Sequence, residues 1–125
     1  MLKFQSKHFA TSALYALNGL RLAFKSQRNF RKHLLISLAY LFISLVCKLS
    51  PFEICLVILA CSMTLAFELV NSCIEFIMDA YYKNKWAKLA KLAKDMCAGA
   101  VLLLSLTSCA IVIILCTDKI FKLYF

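Results

Sequence analysis

The chain has 125 residues, of which 63% are hydrophobic, a mean hydropathy of +0.82 and a formal net charge of +9. A soluble domain of this size has too little interior to bury so much apolar surface, so the composition predicts a single integral membrane domain. The basic residues flank apolar runs and form no aromatic-interleaved patch, which argues against a nucleic-acid partner.

The first predicted element is an amphipathic helix from about residue 2 to about residue 30. Phenylalanine and leucine side chains mix there with lysines and arginines, so the segment is too polar to cross a bilayer and too apolar to leave it. We expect a helix that lies in the membrane interface. A helix that packs on the bundle, as in a soluble protein, would have the same pattern.

Three apolar runs follow and predict three transmembrane helices. Their expected bounds are about 33–49, 52–78 and 96–117, with a loop at about 80–95 before the third helix. The third run, Met96–Thr117, is uncharged over 22 residues, which is enough to span the hydrocarbon core. Ser50 and Pro51 predict a tight turn that leads into the second helix.

Positive charge is concentrated on one predicted side of the membrane. Seven of the 15 basic residues lie in Met1–His33 and five lie in Lys83–Lys94. Because basic residues favour the cytoplasmic side, we expect the amino terminus and the 80–95 loop in the cytoplasm. The seven cysteines lie in or beside the apolar runs without a CxxC pair, so we interpret them as packing residues rather than zinc ligands.

The second predicted helix carries a row of acidic and polar residues. Since each helical residue advances about 100°, the row shares one face. Its members are Glu68, Asn71, Ser72, Glu75 and Asp79. Ionisable groups in a span are costly unless they face protein, water or cations. The row is therefore an interhelical hydrogen-bond cluster, or else a cation or proton site whose carboxylates suit Mg²⁺ or general-base chemistry.

The basic loop before the third helix has two interpretations. A solvated positive-inside loop is the simplest interpretation of Lys83–Lys94 and of Asp95 after it. Beside an acidic metal-type site, the same lysines could bind phosphates, as phosphoryl transfer requires. The sequence holds no Walker-type GxxxxGK loop, so ATP would have to bind by another architecture.

The acidic row also resembles a known family. The stretch from Glu68 to Asp79 has the pattern ExxNxxxExxxD, and with Ala93-Lys94-Asp95 it is similar to the small bacterial diacylglycerol kinases, which include the undecaprenol kinases. Asn18-Gly19-Leu20-Arg21 and Arg28-Asn29-Phe30-Arg31 match as well, so the resemblance covers nearly the whole chain. It implies an all-α homotrimer of three-span subunits, each with an amphipathic N-terminal surface helix, in the bacterial cytoplasmic membrane.

The resemblance also implies a reaction and its residues. The family transfers the γ-phosphate of MgATP to the hydroxyl of a membrane lipid alcohol, here diacylglycerol or undecaprenol. Glu68 would be the general base and Glu75 a metal ligand. The nucleotide contacts would be Tyr15, Glu75, Lys94 and Asp95, the lipid contacts Arg21, Phe24 and Glu68, and the supporting residues Asn71, Ser72 and Asp79.

Two positions depart from the family pattern. Gln27 stands where the family has a second metal-binding glutamate, and Lys85-Trp86-Ala87 stands where some members have a Glu-Tyr-His nucleotide contact. A glutamine oxygen is uncharged and should hold Mg²⁺ more weakly, and we interpret Gln27 as a variant tolerated in a working enzyme. The alternative hypotheses are a small proton-coupled transporter that uses Glu68 and Glu75 as proton carriers, and a degenerate, non-catalytic kinase.

Overall fold

The computed structural model describes residues 9–83 and 87–124. These residues form four helices, which are α1 (Phe9–Ser26), α2 (Arg28–Val46), α3 (Pro51–Tyr82) and α4 (Lys88–Tyr124). The last three are each long and apolar enough to cross a membrane. The predicted all-α fold, with three span-length helices behind an N-terminal helix, is therefore confirmed.

The helices α3 and α4 form the main pair of the bundle, while α2 packs on α3 and α1 packs mainly on α2. Contacts between the pair join Asp79 to Lys94 and Thr64 to Ser108, so α3 and α4 run antiparallel. Towards the start of α3, buried apolar residues form a core that we call the apolar end of the bundle. Its members are Leu49, Val57, Cys61, Val112 and Cys116.

A tight turn joins α2 to α3, as predicted. Lys48 adopts a left-handed conformation with a φ of 54°, and the backbone N–H of Leu49 donates to a carbonyl in the last turn of α2. The Ser50 hydroxyl accepts from the backbone N–H of Glu53 at 3.4 Å, while the Glu53 carboxylate accepts from the backbone N–H of Ser50 at 2.6 Å. This capping box, followed by Pro51, fixes the first turn of α3.

The predicted surface helix is interrupted at Gln27, which has an extended backbone with a φ of −99° and a ψ of 110°. The helix α2 begins directly after it, earlier than the expected start near residue 33. The Arg31 guanidinium donates to the carbonyl oxygens of Phe24, at 2.9 Å, and Lys25, at 3.1 Å. These bonds satisfy carbonyls that lose their helical partners at the end of α1. Residues 2–8 of the predicted helix lie outside the described residues.

Helices occupy most of the predicted loop at about 80–95. The helix α3 continues to Tyr82 and α4 begins at Lys88, so α4 extends well beyond the predicted bounds of 96–117. A helix that leaves the membrane keeps its backbone hydrogen bonds, and the Lys91–Asp95 pair at i,i+4, 4.0 Å apart, favours its continuation. Of the predicted loop, residues 84–86 lie outside the part of the chain that is described.

Candidate functional site

The acidic row lies on the face of α3 that packs against α4, in the half of α3 that ends at Tyr82. Glu68, Asn71 and Ser72 are buried, with exposed fractions of 3%, 4% and 3%. Glu75 and Asp79 follow on the same face and are partly exposed. The row therefore runs from the interior of the chain to its surface. We call it, together with Lys94, the polar end of the bundle.

Hydrogen bonds within α3 organise the row. The Asn71 side-chain NH₂ donates to Glu75 Oε1 at 3.1 Å, and the Ser72 hydroxyl donates to the backbone carbonyl of Glu68 at 2.9 Å. The Asn71 side-chain oxygen, Oδ1, is buried and has no hydrogen-bond partner. An unpaired buried acceptor is costly, so this oxygen is a group that a donor or a cation would satisfy.

Neither glutamate of the row is paired with a protein cation in the described part of the chain. Within residues 9–83 and 87–124, neither Glu68 nor Glu75 takes part in an ion pair. The same residues contain no group of three or more His, Cys, Asp or Glu side chains placed to hold a metal ion. The polar end therefore offers carboxylate and amide oxygens, but no complete protein cage for a cation.

Lys94 and Asp95 are neighbours in sequence but point to different surroundings. The Lys94 ammonium donates a hydrogen bond to the Asp79 carboxylate, which brings it from α4 to the row on α3. Asp95 lies instead near Lys91, with both side chains about two-thirds exposed at 64% and 66%. Of these two predicted nucleotide contacts, the structure joins Lys94 to the row and leaves Asp95 on the outer surface of α4.

Tyr15 and Gln27 are separate from the row within the chain. Tyr15 is 57% exposed on α1, and Gln27 is the residue before α2, where its side chain makes no capping hydrogen bond. No hydrogen bond or ion pair joins either side chain to the α3 row in the described residues. Within one chain, the fold thus does not bring either of these two predicted metal or nucleotide contacts to the row.

Arg21 and Phe24, the two predicted lipid contacts on α1, both line a cleft between α1, α2 and α3. The cleft has a volume of about 610 Å³, and its other lining residues include Leu20, Phe30, Leu65 and Leu69. Its walls are mostly apolar, and Arg21 is the charged residue among those that line it. Leu69 directly follows Glu68 in the chain, so the cleft and the row belong to the same stretch of α3.

Two structural features were not anticipated from the sequence. Arg31 fastens the end of α1, and an arginine shortly after a helix break is a signal that could have indicated this. Thr64 and Ser108 share a buried hydrogen bond of 3.0 Å between α3 and α4. Each hydroxyl sits in an apolar run without a motif, so the sequence gives no sign of which partner it meets.

The family model for prokaryotic diacylglycerol kinase matches residues 14–116. The chain is 33% identical to a diacylglycerol kinase of Synechocystis sp. over 94 residues, which are 75% of this chain and 54% of that protein. It is 31% identical to an undecaprenol kinase of Bacillus subtilis over 112 residues, which are 90% of each chain. A diacylglycerol kinase of Helicobacter pylori is 30% identical over 97 residues, 78% of this chain and 75% of that protein.

The matched region contains the whole acidic row, the cleft and Lys94. The chain spans about half the length of the Synechocystis relative, whereas the match with the Bacillus relative covers 90% of both proteins. The chain therefore belongs to the prokaryotic diacylglycerol kinase family, as the residues from Glu68 to Asp79 indicated.

Proposed function

We propose that this protein is a membrane lipid kinase that transfers the γ-phosphate of ATP to the hydroxyl of a lipid alcohol. Its relatives carry the names diacylglycerol kinase and undecaprenol kinase, and these two lipids are the candidate substrates. One observation carries the proposal. On a single face of α3, the buried Glu68 is followed by an unpartnered amide oxygen, a second glutamate and, at Asp79, a lysine supplied by α4.

Glu68 is the proposed general base. It is 3% exposed and has no ion-pair partner among the described residues, so its carboxylate is available to accept a proton. The lipid hydroxyl would give up its proton to this carboxylate as its oxygen attacks the γ-phosphorus of ATP, the bond from that phosphorus to the β,γ-bridging oxygen breaks, and ADP leaves. The apolar cleft beside Leu69 suits an acyl or prenyl chain, and Arg21 and Phe24 are its proposed contacts on α1.

Glu75 and Asn71 are the proposed ligands for the Mg²⁺ that accompanies ATP. Mg²⁺ in nucleotide sites is held by one or two carboxylates together with the substrate phosphates, so a complete protein cage is not needed. The Glu75 carboxylate and the unpartnered Asn71 oxygen fit that requirement. When bound, the ion would neutralise charge on the phosphates. Ser72 holds the backbone of Glu68 by its hydrogen bond and keeps a supporting role.

Lys94 is the proposed phosphate contact, because it is the cation that the fold brings to the row. Asp95, Tyr15 and Gln27 remain proposed nucleotide or metal contacts. They would come from the exposed surface of α4 or from the α1 region of a neighbouring subunit, which requires the homotrimer that the family implies. We propose the bacterial cytoplasmic membrane as the location, with the amino terminus in the cytoplasm.

A side-by-side assay tests the proposal. Purified protein in lipid nanodiscs is given radiolabelled ATP and Mg²⁺ with diacylglycerol or with undecaprenol, and the lipid extract is analysed. We expect label in phosphatidic acid, in undecaprenyl phosphate, or in both, and the ratio of kcat/KM identifies the preferred lipid. Labelling of neither lipid, together with proton-coupled solute uptake by vesicles containing the protein, would support the transporter hypothesis instead.

A further inference from the structure

We infer that Asp79 is a positioning residue that holds the Lys94 ammonium beside the acidic row, where it meets the phosphates of ATP. The inference rests on the proposed function and adds to it the group that directs the lysine. Asp79 lies near the end of α3 and Lys94 in the first two turns of α4, and their ion pair bridges the two helices.

The register of α3 places this ion pair in the site. Asp79 follows Glu75 by four residues, so the two carboxylates lie on the same face, about 6 Å apart along the helix axis at about 1.5 Å per residue. The hydrogen bond from Asn71 holds Glu75 on that face, and the Lys94 ammonium is held one turn further along it. A triphosphate bound next to Glu75 would therefore have the Lys94 ammonium beside it.

Lys94 differs from the neighbouring lysine in how it is held. Lys91 lies 4.0 Å from Asp95 on its own helix, and its side chain is 66% exposed, whereas the Lys94 side chain is 33% exposed. Within residues 9–83 and 87–124, Lys94–Asp79 is the one ion pair that joins two helices, since the others each lie within α4. A free lysine samples many rotamers, and the bond to Asp79 removes that freedom before the nucleotide binds.

The ion pair is compatible with phosphate binding. An ammonium has three N–H donors, and Asp79 accepts from one of them, so the others remain for phosphate oxygens. The Asp79 side chain is 48% exposed, which leaves the pair open to water on one side and gives a nucleotide a route to it. Partly exposed ion pairs contribute little to folding stability, so removal of the carboxylate tests position rather than folding.

The test measures equilibrium binding of a non-hydrolysable ATP analogue with Mg²⁺ to the protein in nanodiscs, alongside lipid kinase kinetics. For Asp79→Asn we expect the Kd of the analogue and the KM for ATP to rise about tenfold, the scale of one charge-assisted hydrogen bond. The kcat and the KM for the lipid should change by less than about threefold. Asp79→Glu, which keeps the charge, should recover part of the loss and covers the case in which the asparagine variant misfolds.

Asp118→Asn is the matched control, because it breaks the exposed Asp118–Lys122 pair, 2.7 Å long, at the opposite end of α4. We expect it to leave nucleotide binding unchanged. In a Lys94→Met background, Asp79→Asn should have no further effect on the Kd. An unchanged Kd in Asp79→Asn, or an equal effect with and without Lys94, would overturn the inference. If the wild type binds the analogue but phosphorylates no lipid, the kinase proposal fails while the role of Asp79 is still decided by the Kd.

Discussion

The two ends of the α3–α4 pair bury different types of side chain. At the apolar end, Val57 is fully buried and packs with Cys61, Val112 and Cys116, and a capping box fixes the start of α3. At the polar end, the same face of α3 carries Glu68 and Asn71, which are as well buried as the apolar core. Burial of ionisable groups in a span is unfavourable for stability. We therefore attribute the buried polar residues of this end to function rather than to packing.

The two ends of α3 therefore have different roles, one in packing and the other in the candidate site. The apolar end gains packing contacts and tolerates only changes that preserve volume. Within the described residues, the polar end keeps a buried oxygen without a hydrogen-bond partner and two glutamates without an ion-pair partner, and a partly exposed ion pair connects it to α4. We therefore expect substitutions at the apolar end to change stability and substitutions at the polar end to change turnover or nucleotide binding.

The largest effect is expected for Glu68→Gln. Loss of a general base lowers kcat by about 10²–10⁴-fold, while the amide preserves the size of the side chain. Turnover with the preferred lipid measures the effect, and Asp118→Asn serves as a control for loss of an acidic group far from the row. Normal turnover in Glu68→Gln would remove this residue from the catalytic role and weaken the contrast between the two ends.

A smaller effect, on stability rather than on turnover, is expected for Val57→Ala. The substitution leaves a gap at a fully buried position and should lower the free energy of unfolding by about 1–2 kcal/mol, with the KM for ATP unchanged. Reversible unfolding in detergent measures the change. Val70→Ala, at a position that is 55% exposed on the same helix, is the matched control and should be nearly neutral. Equal losses at both positions would contradict the assignment of the core to the apolar end.

Gln27→Glu tests whether the site lacks a carboxylate that its family usually has. A charged oxygen should bind Mg²⁺ more tightly, so the Mg²⁺ concentration for half-maximal activity should fall several-fold. Gln27→Ala tests whether the amide oxygen contributes, because its loss should then raise the Mg²⁺ concentration for half-maximal activity. If neither substitution alters the Mg²⁺ dependence, the metal is held without this position, and Glu75 with Asn71 forms the protein part of the site.

The smallest effect is expected where the two ends meet, at the buried hydrogen bond between Thr64 and Ser108. A double-mutant cycle with Thr64→Val and Ser108→Ala should give a coupling free energy of about 0.6 kcal/mol, the average for such bonds in membrane helices. Unfolding of the four proteins measures it. A coupling near zero would show that α3 and α4 are held together by packing alone at this depth.

The sequence by itself determined the class of fold and the face that carries the site. Hydropathy and length required span-length helices, and the 3.6-residue period placed Glu68 and Glu75 on one side of α3. Ser50 and Pro51 determined where α3 begins, because a capping box is made entirely of neighbouring residues. Each of these features depends on residues close together in the chain, which is why local patterns were sufficient.

Only the tertiary structure decided which groups meet. Nothing in the pattern of lysines selects Lys94 as the partner of Asp79, because the two residues are 15 apart in sequence and meet only through the packing of α4 on α3. The cleft that joins Arg21 and Phe24 to Leu69 likewise needs three helices at once. Hydropathy marks the extent of a membrane span rather than the ends of a helix, so it did not show the break at Gln27 or the start of α4 at Lys88. Residue type thus fixed the chemistry of the polar end, and helix packing fixed its geometry.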